Sequence, residues 1–147
     1  MTQTTTTQTM PTQTTTTPKP GPVVTELTRT YWAAAEDGTL LIQQCGTCHT
    51  YQHYPARMCR TCWSEDIDWV KARGTGTVWT FTVVGIPGHP AWKAESPYIL
   101  ALVELDEGPR LMTNIVGSEP GDVRVGQRVA LAPAATEQPA LQFKIEA

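Results

Sequence analysis

The sequence predicts a mainly β protein: one short N-terminal helix, a four-cysteine metal ribbon, and a five-stranded closed or nearly closed barrel. Three observations lead there. All four cysteines of the chain fall within CGTCHTYQHYPARMCRTC, residues 45–62, as two Cys-x-x-Cys pairs. Beyond them, stretches of alternating apolar and polar residues recur with turn signals between them. Helical character is confined to about Glu26 to Ala35.

Residues 1–22 contain eleven Thr, three Gln and four Pro, with no apolar run of the kind a secretory leader needs. Such a segment buries too little surface to offset the entropy of ordering it, so a disordered tail is expected. Residues 23–38 follow as the N-terminal helical unit. Thr25 is placed to cap the helix, Leu27 and Tyr31 share a face, and Asp37-Gly38 ends it. Residues 39–70 are assigned to the ribbon, beginning with a strand from Thr39 to Gln44.

Cys45, Cys48, Cys59 and Cys62 have the spacing of a tetrahedral metal site. Each pair forms a tight turn that aims two sulfurs at one point, and the ten residues between let the two turns face each other. Without an export signal the expected compartment is the cytoplasm, where disulfides are disfavoured. A redox Cys-x-x-Cys role fits poorly, since two copies occur without a βαβ pattern. Four thiolates close the coordination shell of zinc, so the metal is expected to be structural; sulfur ligation alone leaves iron open. His49 and His53 read as loop-surface residues, since four cysteines complete the set. Pro55 suits a rigid turn between the pairs, and Gly46 relieves crowding after Cys45.

Residues 71–147 carry the barrel. Trp79, Phe81 and Val83 alternate with Thr80 and Thr82, a half-buried strand pattern whose apolar side more commonly belongs to a barrel core. Tyr98 to Leu105 is apolar on both faces except at Glu104, which suits a central strand. Asp106-Glu-Gly-Pro109 is a turn, and Arg110 to Val116 returns as the second arm of a hairpin. Val123, Val125, Val129 and Leu131 suggest another strand, interrupted at Gly126. Leu141, Phe143 and Ile145 suggest the last. Gly74-Thr-Gly76 is expected to be a bulge or sharp bend, not a phosphate loop.

Composition narrows the function. Hydrophobic residues make up 40% and charged residues 17%, enough for a globular core. Eleven basic against fourteen acidic side chains, formal net charge −3, weigh against a nucleic-acid backbone as partner. No apolar run long enough to span a membrane occurs. There is no Gly-x-Ser-x-Gly elbow, phosphate-binding P-loop or dinucleotide fingerprint, and no catalytic residue is assigned. His89, in the loop Gly85 to Pro90, reads as a loop histidine; a stand-alone enzyme built on it is the weaker alternative. A zinc-ribbon and barrel module that binds nucleic acid through Trp79 and Phe81 is the other alternative.

Several motifs in order resemble one family. They are Tyr31-Trp32, Leu40-Leu-Ile-Gln-Gln-Cys45, the cysteine ribbon with Tyr54-Pro-Ala-Arg57, Gly74 to Val84, Val103 to Arg110, and Val125-Gly-Gln-Arg-Val129. This order is similar to that of the zinc-ribbon/OB-fold acyl-CoA-associated proteins long called "domain of unknown function 35". The resemblance covers about residues 25–146 and departs at Ala56, where members often have a second proline.

The resemblance implies a rubredoxin-like zinc ribbon followed by a five-stranded OB-fold barrel. It also implies an accessory subunit of a thiolase-like or lipid-transfer-like protein, in a hetero-oligomer that acts on acyl-CoA as a thiolase, acyltransferase or steroid side-chain aldolase. The partner supplies the catalytic residues, and the small subunit stabilises it and helps form the acyl-CoA channel. Acyl-CoA carries phosphates, so Arg57, Arg60, Lys71 and Arg73, grouped in sequence at the ribbon-to-barrel junction, are proposed contacts for them. Tyr31 and Trp32 are expected to anchor the helix to the partner or the barrel. Trp92 and the loop from Gly85 to Pro97 are expected to line a substrate opening or an interface.

Overall fold

A computed structural model describes residues 17–133 and 140–147. The disordered-tail expectation falls mostly on residues 1–16, which lie outside the described residues. Helix α1 spans Arg29–Glu36, beginning later than the propensities suggest. Thr25 does not cap it. The Thr25 and Thr28 hydroxyls bond each other at 3.1 Å, and the Thr28 amide donates to the Thr25 carbonyl at 3.2 Å, so the two threonines close a separate turn. The exit agrees with expectation. Gly38 takes φ +71°, and the Gly38 and Thr39 amides donate to the carbonyls of Ala35 and Ala34.

Three short strands build the ribbon sheet. β1 (Leu41–Cys45) lies between β2 (Tyr51–Gln52) and β3 (Ile67–Lys71), antiparallel to both. β3 was invisible to pattern reading because none of its residues is fully buried, so no clean alternation marks it. Cys45 ends β1 opposite Ile67, which anchors the first cysteine turn to a sheet.

The barrel is closed in the order β4 (Thr75–Val84), β5 (Tyr98–Leu105), β6 (Arg110–Ile115), β8 (Phe143–Ile145), β7 (Arg128–Leu131). β5 is central, as its apolar character suggests. Ile99, Ala101, Val103 and Leu105 point inward, while the outward residues between them are half-buried. β6 meets β8 in parallel through Ile115 and Phe143, and β7 pairs with β4, completing the ring.

Two strand expectations are corrected. A bulge lies between Val78 and Thr80. It puts Val78 in the core and turns Trp79 outward, 48% exposed, so Trp79 is not a core residue. Residues 123–127 form no strand: Val123 is buried below a one-turn 3-10 segment, whereas Val125 is exposed and the chain turns at Gly126, φ +89°. Gly76 is required by close approach, since a Cβ there would meet the Glu104 carbonyl oxygen at 2.4 Å. At the same end, Arg128 grips Asp106 with both Nη atoms, at 2.6 and 2.9 Å, and Thr75 donates to the same carboxylate. Those two donors hold the Asp106 carboxyl well below the ordinary carboxylate range.

Candidate metal centre and cavity

The two cysteine turns are built alike. Cys45 and Cys59 each accept at their carbonyl from the residue after the second cysteine, His49 at 2.9 Å and Trp63 at 3.0 Å. Both of those residues adopt left-handed φ, 59° and 64°. One residue further on, Thr50 and Ser64 return their carbonyls to the amides of Cys45 and Cys59. Side chains join the turns: Thr47 and Ser64 hydroxyls lie 2.8 Å apart. A Cβ on Gly46 would collide with the Asp66 carboxylate, so the glycine clears space for that side chain.

This geometry brings all four sulfurs within 4.8 Å of one another. Cys45 to Cys62 and Cys48 to Cys59 are each 3.6 Å, and all four cysteines are free. A tetrahedron with metal–sulfur bonds near 2.3 Å has edges of about 3.8 Å, so the cluster fits zinc and is far too wide for disulfides. Backbone amides favour thiolates: the Cys48 amide lowers the Cys45 thiol and the Cys62 amide lowers that of Cys59. Thr50 lowers Cys48. Cys62 moves up to about 12; the Ser64 amide draws it down, but the Cys48 sulfur, burial and the two other sulfurs outweigh it. Four thiolates this close repel one another unless a cation sits among them. Bound zinc would supply folding energy here, and four protein thiolates leave it no open position for substrate.

Two residues that pattern reading passed over hang the second turn on the first sheet. Gln43 and Gln52 are buried and bonded to each other at 2.8 Å. Gln52 also accepts from the Arg60 amide at 3.0 Å, and Gln43 from the Ala56 amide at 2.8 Å. Both bonds reach the loop that carries Cys59. A glutamine on a short strand carries no signal that it will face inward.

His49 is exposed, as expected, but His53 is not a surface residue. Its ring packs between Tyr31, centroids 5.5 Å apart, and Tyr54, at 4.3 Å, and its Nδ1 has no partner among the described residues. Burial and then the nearby Arg60 charge bring its pKa down to about 4. Tyr31 therefore anchors α1 against the ribbon.

The four cations proposed for phosphates sit on separate supports. Arg57 and Arg60 are exposed on the ribbon loop, and Arg60 Nη2 donates to the Tyr54 carbonyl. Lys71 ends β3, and the Arg73 amide donates to Glu107 beyond β5. A cavity of about 480 Å³ opens elsewhere, lined by Trp92, Tyr98, Ile99 and Asn114 among others, and by none of those four cations. Trp92, in the loop from Gly85 to Pro97, is thus one of the residues lining a cavity. His89 serves the same wall, its Nδ1 accepting from the Ala91 amide and its ring standing edge-on to Trp92. Trp79, the other aromatic of interest, has Arg110 stacked on its face at 3.5 Å. Among the described residues no helix is long and apolar enough to cross a membrane.

The fold and the sulfur cluster define a zinc-ribbon protein with an OB-type barrel. Family models agree: residues 32–68 match the rubredoxin-like zinc ribbon domain of ChsH2, and residues 69–132 match its C-terminal OB-fold domain. The chain belongs to this ChsH2/DUF35 family. A DUF35 domain-containing scaffold protein of Methanocaldococcus jannaschii is 30% identical over 70% of this chain and 73% of its own length. A probable enoyl-CoA hydratase alpha subunit of Thermomonospora curvata is 43% identical over 77% of this chain. The match spans only 35% of that longer relative. Among solved structures, an "Ltp2-ChsH2(DUF35) aldolase" chain superposes with TM-score 0.71 and 38% identity, covering 84% of this chain and 96% of that one. A DUF35-family protein of Sulfolobus solfataricus, 15% identical with TM-score 0.60, shares the fold.

Proposed function

We propose that this chain is a non-catalytic accessory subunit that binds and stabilises a thiolase-like acyl-CoA enzyme and helps form its acyl-CoA channel. A thiolase, an acyltransferase or a steroid side-chain aldolase is the class of partner. Cys45, Cys48, Cys59 and Cys62 hold a structural zinc, and Arg57, Arg60, Lys71 and Arg73 meet acyl-CoA phosphates. The cytoplasm is its compartment. One observation carries the reading: the chain matches nearly the whole of one subunit of an aldolase, Ltp2-ChsH2, whose name pairs it with a second protein, Ltp2. Relatives named as acyl-CoA hydratase alpha subunits point to the same substrate class. The nucleic-acid alternative is less well supported, because Arg110 already occupies the Trp79 face that stacking would need.

The test is capture of the tagged full chain from its native host, followed by mass spectrometry and by light scattering of the recovered complex. A stoichiometric thiolase-like partner is the expected result. Recovery of nucleic acid alone, or of no partner across growth conditions, would overturn the reading.

A further inference from the structure

We infer that the cavity beside Trp92 is a binding site for an uncharged, largely apolar guest bearing carbonyl or hydroxyl groups. Its volume, about 480 Å³, lies within the span of small-molecule sites, roughly 300–1,000 Å³. Ile99 and Ile115 are buried on paired strands, and Trp92 is held by the His89 ring at 5.5 Å. Two of its polar groups, Asn114 and Gln142, are neutral amides. Asn114 gives one Nδ2 hydrogen to the Ile99 carbonyl at 3.2 Å, which leaves its second N–H and its amide oxygen for a guest. Gln142 makes no side-chain hydrogen bond among the described residues and offers both a donor and an acceptor.

Charge excludes an anionic guest. The charged side chains lining the cavity are Lys19 and Glu95, and they pair with each other across the rim. The Arg73 backbone is hooked to Glu107 at the opposite end of the β5–β6 hairpin from Tyr98. Eight residues of β5 separate those ends, roughly 25 Å at strand rise. Among the described residues a polyanion therefore has no unpaired cation here, whereas apolar rings or chains find aromatic and aliphatic walls. This deepens the accessory-subunit reading and rests on it for one point, that the guest is the apolar part of the partner enzyme's substrate.

The experiment is calorimetric titration of the full zinc-loaded chain with two neutral probes, progesterone and methyl decanoate, and with coenzyme A. At least one neutral probe is expected to bind saturably, and coenzyme A is expected not to displace it. Ser118→Trp, at a half-buried cavity-lining position, should weaken that binding by about tenfold or more with zinc content and melting temperature unchanged. Trp92→Ala provides a second variant should Ser118→Trp fold poorly. Absence of saturable binding by both probes, undiminished binding by both variants, or competition by coenzyme A would overturn the inference. Failure here leaves partner capture standing, and failure of partner capture leaves probe binding standing.

Discussion

Between residues 39 and 70, Leu40 and Ile42 are the apolar residues, cysteines aside, that are fully buried among the described residues. The barrel buries Val78, Val103, Leu105, Leu111, Val129 and Phe143 to 2% exposure or less, with several others close behind. The ribbon fills the difference with the four sulfurs and with the Gln43–Gln52 pair and its backbone partners. A segment this small cannot enclose enough apolar surface to hold itself together, so metal binding and satisfied polar groups take the place of a hydrophobic core. The barrel closes on itself and needs neither.

The largest test of this contrast is Cys45→Ser. Metal binding in such modules supplies on the order of 10 kcal/mol, so the variant should lose its metal and unfold the ribbon. Hydrogen exchange should show ribbon amides unprotected while β5 amides stay slow. Full metal content and unchanged thermal stability would break the contrast. Phe143→Ala is the converse. Phe143 is fully buried, so about 3–5 kcal/mol of stability should be lost in denaturant unfolding with zinc content unchanged. A drop in zinc stoichiometry instead would mean that the two regions fold as one.

Acid should act through the ribbon. His53 is held neutral, with its pKa down at about 4 against an ordinary value near 6.5. The unfolded chain therefore binds the proton first. The contribution of His53 is complete above about pH 6.5 and is lost progressively as pH falls toward 4, by up to ~3 kcal/mol. His53→Phe should flatten that part of the stability profile; an unchanged slope between pH 6.5 and 4 would sink the account. Smallest is Gln52→Leu. It strands the Arg60 amide and removes one of the two donors to Gln43 Oε1, at about 1–3 kcal/mol. Metal affinity should fall with stability, because those bonds hold the loop carrying Cys59. Equal affinity by competition with a chelator would show that the glutamines serve only the sheet.

Legibility followed the same division. The cysteine spacing was readable because sulfur chemistry admits few arrangements of two Cys-x-x-Cys pairs, and the structure gathers those four residues. β5 was readable because it is apolar on both faces, β6 because a turn leads into it, and β8 because its apolar residues alternate with period two. β3 was not, since a partly covered strand has no contrast between faces. Trp79 misled because a one-residue bulge reverses the faces, and nothing in Val-Trp-Thr-Phe announces it. The burial of His53 has no signal in the sequence because one of its two tyrosine neighbours comes from α1, more than twenty positions away.

By itself the sequence determined the order of parts, the metal-binding residues put forward here, and the alternating faces that make a barrel rather than a helical bundle. These follow from local chemistry: thiol spacing, side-chain period, and glycine at turns. Tertiary structure decided which glutamines are buried, where the strand bulges, that His53 packs beneath Tyr31, and that a cavity with no unpaired charge among the described residues opens beside Trp92 and apart from Arg57, Arg60, Lys71 and Arg73. Each of those depends on which segments meet across the fold, and contact between distant segments is settled by packing, not by neighbours along the chain.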